Sequence, residues 1–466
     1  MKNLLVKGGL AALPGETALR PMDIRIKGGS IRELAPMLRP EEGEEILDAA
    51  GMEVFPGAID PHVHFDEPGF THREDFFHGT SAAAMGGVST IIDMPCTSLP
   101  PVTSKAKLDK KLSAMGRQAV VDYALFGGIS GLSIDEALAR DMEELAPEVV
   151  GFKCYFVSGM DTFTALNHYD FKRAVKRASE LGRPLLLHAE DASYVKAAEK
   201  AMKARSLEAG RTASWDDYAD SRPEDAEKLA VMAAVILAGP YADSLHIVHV
   251  GTSEAAKLAA AAGASCETCP HYLAFSRDDF AQKGSALKTA PPVKTRGEAE
   301  KLWALLANGS ISFAASDHAP APEQEKHTGS VWSDYGGIPG TGTLFPYLYS
   351  EGYKKGRLDL ATFLSVTSGA AAKRYGLSGR KAAIKPGMDA DLVFMDPAGS
   401  CTVRGSGLLS KGNITPFDGM ELKGSVRLTL VRGAAVWDAE EARKAGRAEA
   451  GILANPGYGK QLKWGY

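Results

Sequence analysis

Eight short apolar runs punctuate the middle of the chain, each separated from the next by polar or helically spaced sequence. They cover residues 57–64, 88–94, 121–126, 149–156, 184–188, 245–250, 264–269 and 311–316. Runs of this length bounded by turn residues read as strands. Between the fourth and fifth, Phe171, Ala174, Val175, Ala178 and Leu181 follow i, i+3, i+4 spacing, and Gly182 closes the predicted helix. A second helix is expected from a capping box at Ser221-Arg-Pro-Glu224 to Gly239. Eight alternating units predict an α/β fold, a parallel (β/α)8 TIM barrel rather than an open sheet.

The chain ends have a different texture. Short strands separated by Gly turns are expected at Leu4–Val6, Asp23–Lys27 and Glu53–Phe55, and again at residues 391–395 and 428–432. The two ends are read as halves of one small β-sandwich domain, residues 1–55 plus 383–466. The barrel then takes residues 56–382.

Composition narrows the function classes. The 466 residues are 45% hydrophobic and 24% charged, as in ordinary globular proteins. A net charge of -5 without a Lys/Arg run argues against nucleic acid or an anionic membrane surface as partner. Five sparse cysteines do not form a disulfide framework and suit a reducing cytoplasm. Lys7 interrupts the first apolar stretch, so no signal peptide is expected there, and no apolar window is long enough to predict a membrane span. Cys266-Glu-Thr-Cys269 has CxxC spacing but no second pair, and it is expected to pack as a strand.

Chemistry concentrates where the predicted strands end. The first ends in His62-Val-His64, the fourth carries Lys153, the fifth ends at His188, the sixth at His249 and the eighth at Asp317. In a parallel barrel these positions share one mouth. Two imidazoles at period 2 lie on one strand face and suit a divalent metal. A lysine in the apolar run 149–156 is expected to be buried, which disfavours its ammonium form. A neutral amine there could capture carbon dioxide as a carbamate able to bridge two metals.

With His62-Val-His64, Gly151-Phe-Lys-Cys154, His188-Ala-Glu190, His246-Ile-Val-His249, Cys266-Glu-Thr-Cys-Pro-His-Tyr272 and Ser316-Asp-His-Ala-Pro320, nearly the whole chain resembles the cyclic amidohydrolases. That group includes dihydroorotase, allantoinase and hydantoinase/dihydropyrimidinase. The resemblance implies two divalent metal ions, zinc foremost. It assigns His62 and His64 to one metal, His188 and His249 to the other, and the bridging carbamate to Lys153. Asp317 is implied as both ligand and general base, with a hydroxide held between the metals attacking the ring carbonyl. His246 is expected to be structural, whereas His271 and His318 are expected near the mouth.

The substrate implied is a small cyclic amide. Dihydroorotases normally follow the first motif with an arginine that grips a carboxylate; here Asp66 stands in its place, and Cys96 replaces a substrate-gripping asparagine. Residues 217–223, Lys288-Thr-Ala-Pro-Pro292 and Tyr335-Gly-Gly-Ile338 resemble allantoinases most closely. Substrate contacts are accordingly expected from Asp66, Cys96, His271, Pro292, His318 and Gly337. Relatives of this kind imply a homo-oligomer, a dimer or tetramer. A non-enzymatic scaffold on this fold should show broken metal positions, and all six are intact.

Overall fold

The computed structural model describes residues 3–466. The barrel strands are Ala58–Val63, Val88–Asp93, Asp122–Leu125 with its continuation Gly127–Gly128, Phe152–Tyr155, Leu185–His188, Leu245–Ile247, Ser265–Thr268 and Phe313–Ala314. Every neighbouring pair in these ladders is parallel. The third strand joins two ladders, since Asp122–Leu125 pairs with the second strand and Gly127–Gly128 with the fourth. The seam between the eighth and first strands is irregular. A single parallel bridge, Val63 to His318, holds it, with His318 O accepting from His64 N at 2.7 Å. His62, His64 and Asp317 all lie at this seam.

Ile59, Ile92, Ala124, Val150, Leu186 and Phe313, drawn from six different strand regions, form one buried cluster that fills the lumen. A fully buried apolar side chain of this kind stabilises the fold by roughly 1.5–3 kcal/mol, so much of the barrel interior is packed core.

The helix after the fourth strand runs His168–Glu180 and buries Phe171, Ala174, Val175 and Ala178 of the predicted stripe, while Leu181, the fifth, is its partly buried C-cap. Asn167 caps it by accepting from Asp170 N. The next predicted helix is Glu224–Ala238, and its start differs from expectation. Ser221 is the last residue of a preceding helix, Trp215–Ser221, and its hydroxyl donates to Tyr218 O at 2.7 Å. The capping box sits instead at Ser214 and Asp217. Pro223 opens the longer helix, and Glu224, Asp225 and Glu227 complement its positive end.

Both chain ends enter one eight-stranded, sandwich-like sheet. Asn3–Ala11, Arg20–Lys27, Ser30–Ala35, Glu44–Asp48 and Glu53–Pro56 supply one part; Leu392–Thr402, Glu421–Val431 and Ala434–Asp438 supply the other. They meet where Glu53–Pro56 pairs antiparallel with Leu392–Thr402. Val6, Ile24, Ile26, Val54, Leu392, Phe394 and Leu430 form its core. A buried ion cluster ties this sheet to the barrel floor: Lys381 Nζ lies 2.6 Å from Asp122 and from Asp391, and 3.0 Å from Asp389. The final residues return to the barrel, where Leu462 N donates to Tyr123 O at 2.7 Å.

Candidate active site and metal centre

The rim of the barrel gathers the strand-end residues. Nε2 of His62 lies 3.1 Å from Asp317 Oδ1, and Nε2 of His64 lies 3.5 Å from the same oxygen. One ligand atom from each of these three side chains falls within 4.8 Å of the others, a spacing able to hold a cation. Across the mouth, His188 Nδ1 and His249 Nε2 are 3.0 Å apart. The His62 and His249 rings, at 5.4 Å between centroids, connect the two groups.

Backbone geometry makes this convergence possible. Both His249 and Asp317 leave strand conformation, with φ of 39° and 49°. Such angles are uncommon away from glycine, and local strain of this kind gathers at functional sites. The regular sixth strand ends at Ile247, so strict two-residue alternation does not reach His249. His249 turns into the mouth by this departure. His246, one layer deeper, also lies inside the barrel, stacked on Phe313 at 5.1 Å.

Lys153 is fully buried, and its Nζ has no hydrogen-bond partner. Burial lowers its pKa, against the opposing pull of nearby carboxylates including Glu267 and Asp317. Its charge in turn helps to depress His62, His188 and His249, after burial itself. Burial would raise the Asp317 carboxyl, but His62 and His64 hold it well below the usual carboxylate range. Burial lowers the His64 pKa, but Cys96 and Asp317 outweigh it and push it up to about 10. The site therefore offers three neutral imidazoles, His62, His188 and His249, beside an ionised carboxylate, while a cation would have to displace the proton of His64. The unpartnered Nε2 of His62, Nδ1 of His249 and Nζ of Lys153 are buried polar atoms that a bound group would satisfy. The residues fit a metal centre.

The remaining residues expected near substrate divide. Asp66 is closed to solvent, and neither carboxylate oxygen makes a hydrogen bond of ordinary geometry, although Thr97 stands close enough to favour the ionised form. Burial pushes its pKa up to about 7. Cys96 Sγ lies 3.0 Å from Tyr155 Oη and 3.8 Å from His64 Nδ1. His271 is buried with a free Nε2, and burial lowers its pKa to about 4. His318 spends both nitrogens on the fold: Nε2 meets Glu74 at 3.1 Å, while Nδ1 accepts from Gly340 N at 3.2 Å and Thr341 N at 3.3 Å. Gly337 is pressed so closely on Ala319 O that a Cβ would stand 2.1 Å from it. Pro292 is buried beside Pro291, whose carbonyl accepts from Tyr272 Oη at 2.7 Å.

Sequence reasoning missed the carboxylates behind the histidines. Glu190 Oε2 lies 3.1 Å from His188 Nε2 and also meets Arg222. Burial raises the Glu190 pKa, but Arg222 and His188 outweigh it and hold the value at about 2. Asp60 accepts from Ser316 N at 3.0 Å, fixing the backbone just before Asp317. Glu267 bridges His62 and His246. For Asp60 and Glu267 the available signal was a charged residue inside an apolar strand, as it was for Lys153; Glu190 lies two residues past the end of its strand.

A model of the amidohydrolase family matches residues 54–436. The chain belongs to the amidohydrolase family. An allantoinase of Rubrobacter xylanophilus is 39% identical over 444 residues, covering 94% of each chain. An Escherichia coli allantoinase is 32% identical over 449 residues, covering 94% of this chain and 96% of that relative. Among solved structures, an L-hydantoinase (dihydropyrimidinase) from Arthrobacter aurescens superposes with a TM-score of 0.90 at 29% identity, over 99% of this chain and 100% of that one. A dihydropyrimidinase from Brevibacillus agri gives 0.87 at 26% identity, over 99% and 98%. Amidohydrolases are metal-dependent enzymes, and the rim cluster of this amidohydrolase supplies candidate ligands. No helix among the described residues is long and apolar enough to cross a membrane.

Proposed function

We propose that this amidohydrolase opens a cyclic ureide ring at an amide C–N bond, with allantoin as its closest match in substrate type. What supports the reading is the grouping of His62, His64 and Asp317, the pairing of His188 with His249, and the buried, unpartnered Nζ of Lys153, near enough to act electrostatically on His62, His188 and His249. His62 and His64 would hold one divalent cation, His188 and His249 a second, and Lys153 as a carbamate would join them. Such cations, zinc foremost, would supply Lewis acidity to activate a water and polarise the ring carbonyl. Asp317 accepts the proton from the attacking water and delivers it to the departing ring nitrogen. His188, backed by Glu190, and His62, backed by Glu267, keep their orientation throughout. The product is an open ureido acid.

Asp66 supports a neutral ureide over an acid substrate. A carboxylate brought beside Asp66 would meet like charge in the fraction of molecules in which Asp66, raised to about 7, is ionised. Arg73, the nearby cation, is already engaged by Glu325 at 2.7 Å. Hydantoin ring opening is the second reading, favoured by the 0.90 superposition with the L-hydantoinase. The two ends of the chain, residues 1–55 and 383–466, are taken as one domain on the strength of their shared sheet. Turnover of allantoin, hydantoin, dihydrouracil and dihydroorotate by the metal-loaded protein tests the assignment. Allantoin should be opened with the highest kcat/KM. Preference for dihydroorotate would refute the argument from Asp66.

A further inference from the structure

We propose that Glu267 is a positioning residue for the metal centre. Its carboxylate holds His62 in the tautomer that leaves Nε2 unprotonated toward the mouth. The proposal rests on reading His62 as a metal ligand. Oε1 of Glu267 lies 2.5 Å from His62 Nδ1, and Oε2 lies 3.1 Å from His246 Nε2. Burial raises the Glu267 carboxyl well above the usual carboxylate range, opposed by Lys153; in its ionised form it only accepts, and both of those ring nitrogens then carry the proton. The far side of the chain agrees: His246 Nδ1 is left to accept from Ser265 Oγ at 2.7 Å. Phe313 lies nearly parallel to His246, at 10°, and fixes the ring plane.

The link crosses the lumen, from the first strand through the seventh to the sixth. His62, Glu267 and His246 are all closed to solvent. With Nδ1 committed, the lone pair of His62 Nε2 stands 3.1 Å from Asp317 Oδ1 and has no hydrogen-bond donor to satisfy it. A carboxylate behind an imidazole also raises its basicity as a ligand.

The arrangement is asymmetric within each histidine pair. His188 is backed by Glu190 at 3.1 Å as His62 is backed by Glu267. His64 has weaker support, with Thr97 Oγ1 3.3 Å and Cys96 Sγ 3.8 Å from its Nδ1. Each proposed cation position thus has one anchored histidine. His62 is the anchor on its side, and Glu267 is what anchors it.

Glu267→Gln keeps the size and one accepting oxygen but removes the charge. The full chain loaded with zinc is challenged with a competing chelator, and retained zinc per chain is measured for wild type and variant. One of the two zinc ions should bind roughly 10- to 100-fold more weakly in Glu267→Gln, with the unfolding transition of the metal-free protein unchanged. Wild-type retention of both ions in the folded variant overturns the proposal. Nitrogen-15 NMR of the metal-free wild type gives an answer independent of the variant's folding. His62 should be protonated at Nδ1, and protonation at Nε2 overturns the proposal. If wild type takes up no zinc, the metal-centre reading fails, while the NMR result still decides the role of Glu267.

Discussion

His62 Nε2 and Asp317 Oδ1 stand 3.1 Å apart, although one ends the first barrel strand and the other follows the eighth. The chain brings them together only by closing its ring at the irregular seam where Val63 bridges His318. The proposed metal ligands, the proposed general base and barrel closure therefore share one short stretch of backbone. Asp60, which accepts from Ser316 N, ties that stretch down from beneath.

Asp317→Asn keeps the shape of the side chain and removes the proposed base. Loss of a positioned general base typically costs 10²- to 10⁴-fold. We expect kcat for ring opening to fall by roughly that factor while KM changes little. Steady-state kinetics on the metal-loaded variant checks this, and near-normal kcat would remove Asp317 from the role.

Lys153→Ala removes a buried amine whose Nζ has no partner in the fold. We expect loss of bound metal and a fall in activity of roughly 10²-fold or more. A short carboxylic acid added to the assay should restore part of it by standing in for the carbamate. A variant that keeps two metals per chain and shows no rescue contradicts the bridging role.

Asp66→Asn tests the source of substrate choice. If the buried Asp66 side chain, raised to about 7, repels an acid substrate when ionised, the amide removes that repulsion. Dihydroorotate turnover relative to allantoin should rise about tenfold, equivalent to about 1.4 kcal/mol. An unchanged ratio places the discrimination elsewhere.

Lys326 gives a pH signature. It is fully buried and donates to Gly337 O at 2.8 Å and Tyr335 O at 3.1 Å, holding the loop after the eighth strand. Burial first, and Lys288 next, lower its pKa from 10.5 to about 7. Above pH 7 the folded chain releases this proton, while the unfolded chain keeps it until about pH 10.5. Stability from this group therefore rises with pH across that window, by up to about 1.4 kcal/mol per pH unit, and is flat below it. Denaturant unfolding of Lys326→Met should lack that slope. An identical pH profile in the variant contradicts the assignment.

The sequence pattern carried the barrel far because buried strands in this chain are continuous apolar runs. A polar residue at the end of such a run had few explanations other than chemistry, so His62, His64, His188 and Asp317 stood out. Glu267 was hidden by the flanking Cys266 and Cys269, which drew attention to their spacing. Both cysteines are buried packing residues, and the carboxylate between them faces His62. His249 defeats two-residue alternation because its positive φ takes it out of the strand. Ser221 misled for a local reason: the hydroxyl that resembles a helix start closes the preceding helix instead.

The most direct test is a titration of metal-free protein with zinc, read by allantoin hydrolysis. Activity should be absent without metal and should rise to a plateau at about two equivalents per chain, as a two-cation site requires. Full ring-opening activity in the metal-free protein would contradict the account.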